Sequence, residues 1–302
     1  MTTTGSIKKR STTSATISTT PFPVSNDEID QMINAVADTK PHDPSWIKEA
    51  HHHLSRAWVR AVMGQPYKKD KTKRRPFDYS KKKLMDYLEW RQKTNITHKI
   101  AHHINQGDDN TEYQALNAGS KDCYWYGTDK EGSPVLWYRA DATEFRKCNI
   151  ANMKEYTYLV IQGAIDHMPD TLHSINFVIL FDQFDLVGAL GKPALAPNFI
   201  KGFMKICPDR LKRAYFVTGN IGHMFLKIAN SIAPKSIMDK VVEYKSREAA
   251  ARALVEDGVV CNEHHVPDFM GGESYVHDQK IVSNYAAMMT NISNDMRAMI
   301  KE

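Results

Sequence analysis

The sequence predicts an α/β protein, a mainly parallel sheet covered by helices, with an N-terminal helical lobe. Three observations predict it. Apolar residues recur at helical spacing over the first hundred positions, the period changes near residue 122, and beyond that point short apolar runs alternate with amphipathic stretches. Strands that alternate with helices pair in parallel, because each crossover helix carries the chain back to the same end of the sheet.

Residues 1–25 are rich in Ser and Thr, with Lys8, Lys9 and Arg10 and no acid before Asp27. That composition cannot bury a core and predicts a disordered tail. A helical lobe is expected over 26–110. Ser25 and Glu28 form a capping-box pattern ahead of Ile29, Met32, Ile33 and Val36. A second helix is predicted after Asp43-Pro44, with Trp46, Ile47, Ala50, Leu54, Ala57, Trp58 and Ala61 on one stripe. A third is predicted after Ser80, carrying Leu84, Met85 and Leu88.

The main domain is expected over 117–277. It opens with "YWYGTDKEGSPVLWYRAD", residues 124–141, two apolar runs around a charged turn containing Gly132, which is a hairpin pattern. The expected order continues with a helix over 151–168, the strand "INFVILFD" at 175–182, a helix over 197–206 and the strand "RAYFVTG" at 213–219. A helix over 222–232, the strand "KVVEY" at 240–244 and a helix over 246–256 follow, with a helical tail at 278–302.

At 302 residues, 42% hydrophobic and 25% charged, the chain is long enough to bury a substantial core. No window approaches eighteen uncharged apolar residues and no apolar segment opens the chain, so a cytoplasmic protein is expected. Cys123, Cys148, Cys207 and Cys261 are scattered and read as reduced thiols. The formal charge of +5 is concentrated: residues 68–83, "KKDKTKRRPFDYSKKK", hold nine Lys or Arg against Asp70 and Asp78. This run reads as a solvated face, a nucleic-acid or nuclear-import patch, or an anionic-membrane patch.

Chemical signatures are sparse. No G-x-G-x-x-G follows a strand, and neither a P-loop nor a G-x-S-x-G elbow is present. His51-His52-His53, the pair His98 and His102, and Cys261 with His264 and His265 do not close a zinc set alone. With no acid/base or nucleophile constellation, the chain is not expected to be an enzyme.

"YGTDKEGSPVLWYRAD", "FVILFD", "CPDRLKRAYFVTG", the amphipathic helix after it and "VPDFMGG" stand in the order and spacing of the CRAL-TRIO lipid-binding domain. "RRPFDYSKKKLMDYLEWR" is similar to that family's N-terminal segment. The resemblance spans roughly residues 45–275 and implies a sheet and helices that enclose an apolar lipid pocket behind a mobile helix. It implies a non-enzymatic, phosphatidylinositol-transfer-like carrier with lipid as cargo and no cofactor. A less polar cargo, such as a sterol, tocopherol or retinoid-like molecule, stays open, as does a regulatory module that binds a small GTPase or phosphoprotein.

The same resemblance implies site residues. Trp125, Trp137, Phe177 and Ile179 would line the pocket, and Ile221, Met224, Phe225 and Ile228 would form the gate stripe of "IGHMFLKIANSI". Asp209 of a Pro-Asp-Arg turn, Lys240 and Arg75 would hold an inositol phosphate. Asp209 is one methylene shorter than the family's Glu, and Pro76 replaces one cation of a basic pair. Phe177 and Ile179 stand where choline-binding members carry hydroxyls, which disfavours phosphatidylcholine. In this context Lys71, Lys73 and Arg74 become candidates for transient contact with an anionic membrane, and no nucleic acid is expected as a partner.

Overall fold

The computed structural model describes residues 22–100, 123–143 and 145–272, apart from 147–148, 167, 186–187, 189–194 and 220–221. Most of the tail expected over 1–25, the end of the lobe at 101–110 and the tail at 278–302 lie outside them. So does Ile221.

The first lobe holds four helices, α1 (Asn26–Ala37), α2 (Pro44–His53), α3 (Arg56–Met63) and α4 (Phe77–Thr94). The capping box forms as the sequence predicts. Glu28 N–H donates to the Ser25 hydroxyl at 3.2 Å and Ser25 N–H donates to Glu28 Oε2 at 2.9 Å, satisfying two amides that a first turn leaves free. The stripe from Trp46 to Ala61 predicts one helix, and the chain forms two. Leu54 leaves the helical region at φ −91° and ψ 71°, and the Ser55 hydroxyl caps α3 by accepting from Trp58 N–H. Helix α4 starts at Phe77, directly behind Pro76, rather than after Ser80, and ends where Asn95 takes a left-handed φ of 51°.

The sheet order is β1-β2-β3-β4-β5. Strand β1 (Cys123–Thr128) is antiparallel to β2 (Pro134–Arg139), and β3 (Ile175–Leu180), β4 (Leu211–Val217) and β5 (Val241–Tyr244) follow in parallel. Helix α5 (Ile150–Asp166) joins β2 to β3, α6 (Leu195–Ile206) joins β3 to β4, and α7 (His223–Ile232) with α8 (Lys235–Met238) joins β4 to β5. Because each parallel strand is added on the same side of its predecessor, right-handed crossovers place α5 to α8 on one face. Helix α9 (Arg247–Glu256) covers the other.

Side chains alternate between these faces. Leu136, Phe177, Ala214 and Val241 form one row across the crossover-helix face, and Tyr138, Ile179 and Phe216 form the next. Val135, Trp137, Val178, Leu180, Tyr215 and Val217 point the other way, into a compact core with Leu254, Phe269 and Met270. The hairpin turn is fixed from inside. Asp129 Oδ1 accepts from Glu131 N–H and Ser133 N–H, while Oδ2 accepts from Asn176 at 2.7 Å and Lys212 at 2.6 Å, tying the turn to the entrances of β3 and β4.

The lobe docks on α5 and α6 through a buried polar knot. Arg91, with no exposed side-chain surface, donates to Asp166 at 2.9 Å, Gln162 at 3.0 Å, Tyr87 OH at 3.1 Å and Glu49 at 3.3 Å, and His53 lies 3.2 Å from Asp166. Burial alone would raise the Asp166 pKa, but His53 and Arg91 outweigh it and hold the carboxyl below its ordinary value. Removing the guanidinium strands Glu49 and Asp166, so Arg91→Ala is expected to lose about 3–5 kcal/mol in urea unfolding at pH 7. The depressed Asp166 pKa gives stability that is complete above the unfolded carboxylate pKa and is lost as pH falls through the folded value. Asp166→Asn should therefore flatten the acid limb of stability against pH, and an unchanged limb would remove Asp166 from this role.

Candidate functional site

On the crossover-helix face the two sheet rows do not meet the helices everywhere, and a cavity remains between them. Phe177, Ile179, Ala214 and Phe216 form its floor, Phe203 and Met204 of α6 one side, and Leu226 and Ala229 of α7 with Ile237 and Met238 of α8 its outer wall. The cavity has a volume of about 100 Å³, and about 900 Å³ is unfilled when the space open to solvent is counted. The first figure falls short of the roughly 300–1,000 Å³ of ordinary ligand sites and the second reaches their upper range.

The wall is almost wholly apolar. Phe181 stacks on Phe216 with ring centroids 5.9 Å apart, and Phe177 meets Phe203 edge-on at 5.0 Å. Tyr138 presents its ring, its hydroxyl lying 3.9 Å from Met153 sulfur. Among the described residues no charged side chain lines this wall. The surface suits hydrocarbon.

Charge gathers where β4 begins and β5 approaches. Asp209, in a left-handed turn at φ 58°, accepts from Arg75 at 2.7 Å and from Lys83 at 3.0 Å. Burial would raise its pKa, but these cations hold it low. Arg210 is buried, with its guanidinium 4.1 Å from the Trp58 ring centre, and Trp58 Nε1–H donates to Pro208 carbonyl at 2.8 Å. The Arg210 Nε–H has no partner. Lys240 donates to the Leu211 carbonyl and has no carboxylate within ion-pair distance, and burial lowers its pKa. Burial together with Arg210, Lys240 and Lys212 pushes the His173 pKa down to about 4. Arg75 and Lys83 thus hold one carboxylate with Lys240 near it, and Leu211 and Val241, neighbours of Arg210 and Lys240 in the chain, line the cavity.

Residues 119–272 match the CRAL/TRIO domain. The chain belongs to that family. CRAL/TRIO domains bind hydrophobic lipid ligands. The crystal structure of Sfh5 shares the fold, with a TM-score of 0.51 at 13% identity over 90% of this chain and 99% of that one. No curated protein matches.

The sequence-predicted residues distribute unevenly around the CRAL/TRIO cavity. Phe177 and Ile179 line it. Trp125 packs in the core on the cavity side without lining it, and Trp137 lies on the opposite face, where its indole N–H donates to the Tyr126 carbonyl and its ring meets Phe269. Arg75 and Asp209 come together, with Lys240 close enough for Asp209 to act on its pKa. The side chains of Met224, Phe225 and Ile228, like all of Ile221, lie outside the described residues; α7 reaches the cavity through Leu226 and Ala229. Lys71 is exposed, Lys73 pairs with Asp70 at 3.1 Å, and Arg74 pairs with Glu28. Among the described residues no group of His, Cys, Asp or Glu could hold a metal ion.

Sequence reasoning missed Phe181, Phe203, Ala214 and Phe216 in the wall and Lys83 and His173 in the charged cluster, and it met Arg210 only as part of the Pro-Asp-Arg turn. Alternation from Phe177 and Ile179 points to Phe181, and "RAYFVTG" offers Ala214 and Phe216 at matching spacing; nothing local marks the other residues.

Filling a void with a side chain already at its edge removes cargo space while improving packing. Ala229→Phe is expected to raise urea stability by about 0.5–2 kcal/mol and to cut co-purifying lipid, read by native mass spectrometry, at least tenfold. Unchanged lipid content in this folded variant would move the site elsewhere.

Proposed function

We propose that this CRAL/TRIO protein is a cytoplasmic carrier that takes one lipid with an anionic, phosphatidylinositol-type headgroup out of a bilayer and shields its acyl chains in the cavity. The observation that carries the reading is Lys240, a half-buried cation that makes no ion pair, beside a cavity of hydrocarbon character. Partial burial disfavours its charged form, and a phosphate at that end would compensate it and add to the attraction of Asp209. Moving about thirty methylenes from bilayer to water costs on the order of 24 kcal/mol, so a carrier needs enclosed apolar space. A scaffold that binds another protein does not need such a cavity.

A less polar cargo is the second reading, favoured by the way Arg75 and Lys83 already satisfy Asp209. The two separate on one residue. With an anionic headgroup, Lys240→Ala should weaken phosphatidylinositol binding by roughly 1.5–3 kcal/mol and leave a sterol or other neutral ligand within a factor of two. Equal loss for every ligand would make Lys240 a structural residue, and normal phosphatidylinositol binding would select the apolar cargo.

A further inference from the structure

The turn that carries Asp209 is held from the N-terminal lobe. Among the described residues, Asn95 and Asp209 are the non-glycine residues with a left-handed φ. Asn95 ends a helix, where that backbone is common. Asp209 lies between α6 and β4, and a strained backbone persists there only when its surroundings over-determine it.

The residues on either side of Asp209 both meet Trp58 of α3. This fully buried indole donates its N–H to the Pro208 carbonyl at 2.8 Å, and its ring centre lies 4.1 Å from the Arg210 guanidinium. Tyr87 of α4 meets the Trp58 ring edge-on at 4.8 Å, and its hydroxyl donates to Gln162 at 2.7 Å. Gln162 in turn donates to the carbonyl of Ile206, the last residue of α6, at 3.0 Å. The indole bond fixes the rotation of the Pro208–Asp209 peptide, and the ring beside the guanidinium fixes where Arg210 lies. Between them the Asp209 carboxylate is aimed at Arg75 and Lys83. Lys240 is near enough to feel that carboxylate but makes no ion pair with it. Trp58, Tyr87, Arg75 and Lys83 all precede the residues 119–272 that match CRAL/TRIO, so the lobe supplies one side of the turn's surroundings.

We infer, resting on the anionic-headgroup reading, that Trp58 is a positioning residue for headgroup selection: it keeps Asp209 turned onto the lobe's cations, which leaves Lys240 open to a phosphate. A turn released from Trp58 lets Asp209 pair with Lys240 and compete with the phosphate for it. A neutral lipid makes no use of Lys240 and is indifferent to the exchange.

The test compares binding of phosphatidylinositol and of cholesterol, each presented in phosphatidylcholine vesicles, by the full chain and by Trp58→Phe and Trp137→Phe. Trp137 is also fully buried and its indole N–H also donates to a carbonyl, that of Tyr126 at 2.9 Å, but on the face away from the cavity. Its variant therefore loses an equivalent hydrogen bond without touching the turn. Trp58→Phe should lower phosphatidylinositol binding at least about fivefold and leave cholesterol within about a factor of two, while Trp137→Phe should leave the ratio of the two ligands unchanged. Arg210→Lys keeps the cation but gives up the planar group beside the indole, and it should show the same selective loss, so the assignment is tested even if Trp58→Phe does not fold. An unchanged ratio in folded Trp58→Phe or, failing that, in Arg210→Lys would overturn it, as would an equal change in Trp137→Phe. A wild-type chain without preference for phosphatidylinositol would remove the headgroup reading and this inference with it, whereas a preference that survives Trp58→Phe removes this inference alone.

Discussion

One face of the sheet has to stay partly unfilled, and the remaining structure is arranged around that constraint. Protein interiors pack like organic crystals, and a cavity of about 100 Å³ that opens to solvent departs from that packing. The opposite face shows no such slack. Trp137, Tyr215 and Phe269 pack there with the aliphatic residues of β2 to β4, and Arg247 holds Asp141, Asp182 and the Phe269 carbonyl together at 2.6–3.0 Å. Rigidity on that side keeps the cavity floor in register while the helix side is left loose.

The inner and outer walls of the cavity are anchored to different degrees. The Arg91 knot fixes α5, and the Asp209 turn fixes the end of α6, both against the N-terminal lobe. The outer wall has less. Helix α8 buries none of its residues, and neither α7 nor α8 has a side-chain cap. The start of α7 is tied to the sheet by His223, whose Nδ1 lies 2.9 Å from Glu243, a carboxylate that also accepts from Thr218 at 2.8 Å. Helix α7 packs instead against α6, so the outer wall is held through its neighbouring helix more than by polar ties to the lobe.

Much of this fold is legible in the sequence because its strands are apolar runs bounded by turn residues. Ile175–Leu180 is continuous and buried on both faces, as a central parallel strand must be. The break at Leu54 was not legible, because the apolar stripe passes through it unchanged and only the Ser55 hydroxyl marks the restart. Trp125 and Trp137 could not be assigned to faces from the hairpin alone. Trp125 pairs with Leu136, which places Trp137 on the other face, and a register shift between Trp125 and Thr128 hides that parity from a residue count. The charged cluster was half legible: Asp209 and Arg75 stand out in their motifs, while Lys83 reaches the turn only through the docking of the lobe and His173 only through the pairing of β3 with β4.

Charge shows the same gap between local sequence and surface. Nine cations in sixteen residues dominate the composition, yet the folded chain brings Glu28, Asp86 and Asp209 from elsewhere to neutralise part of them. Coulomb attraction falls with distance and salt, so what a bilayer or phosphate feels is unneutralised charge on one surface. The length of the basic run therefore overstates the charge that the folded chain leaves free there.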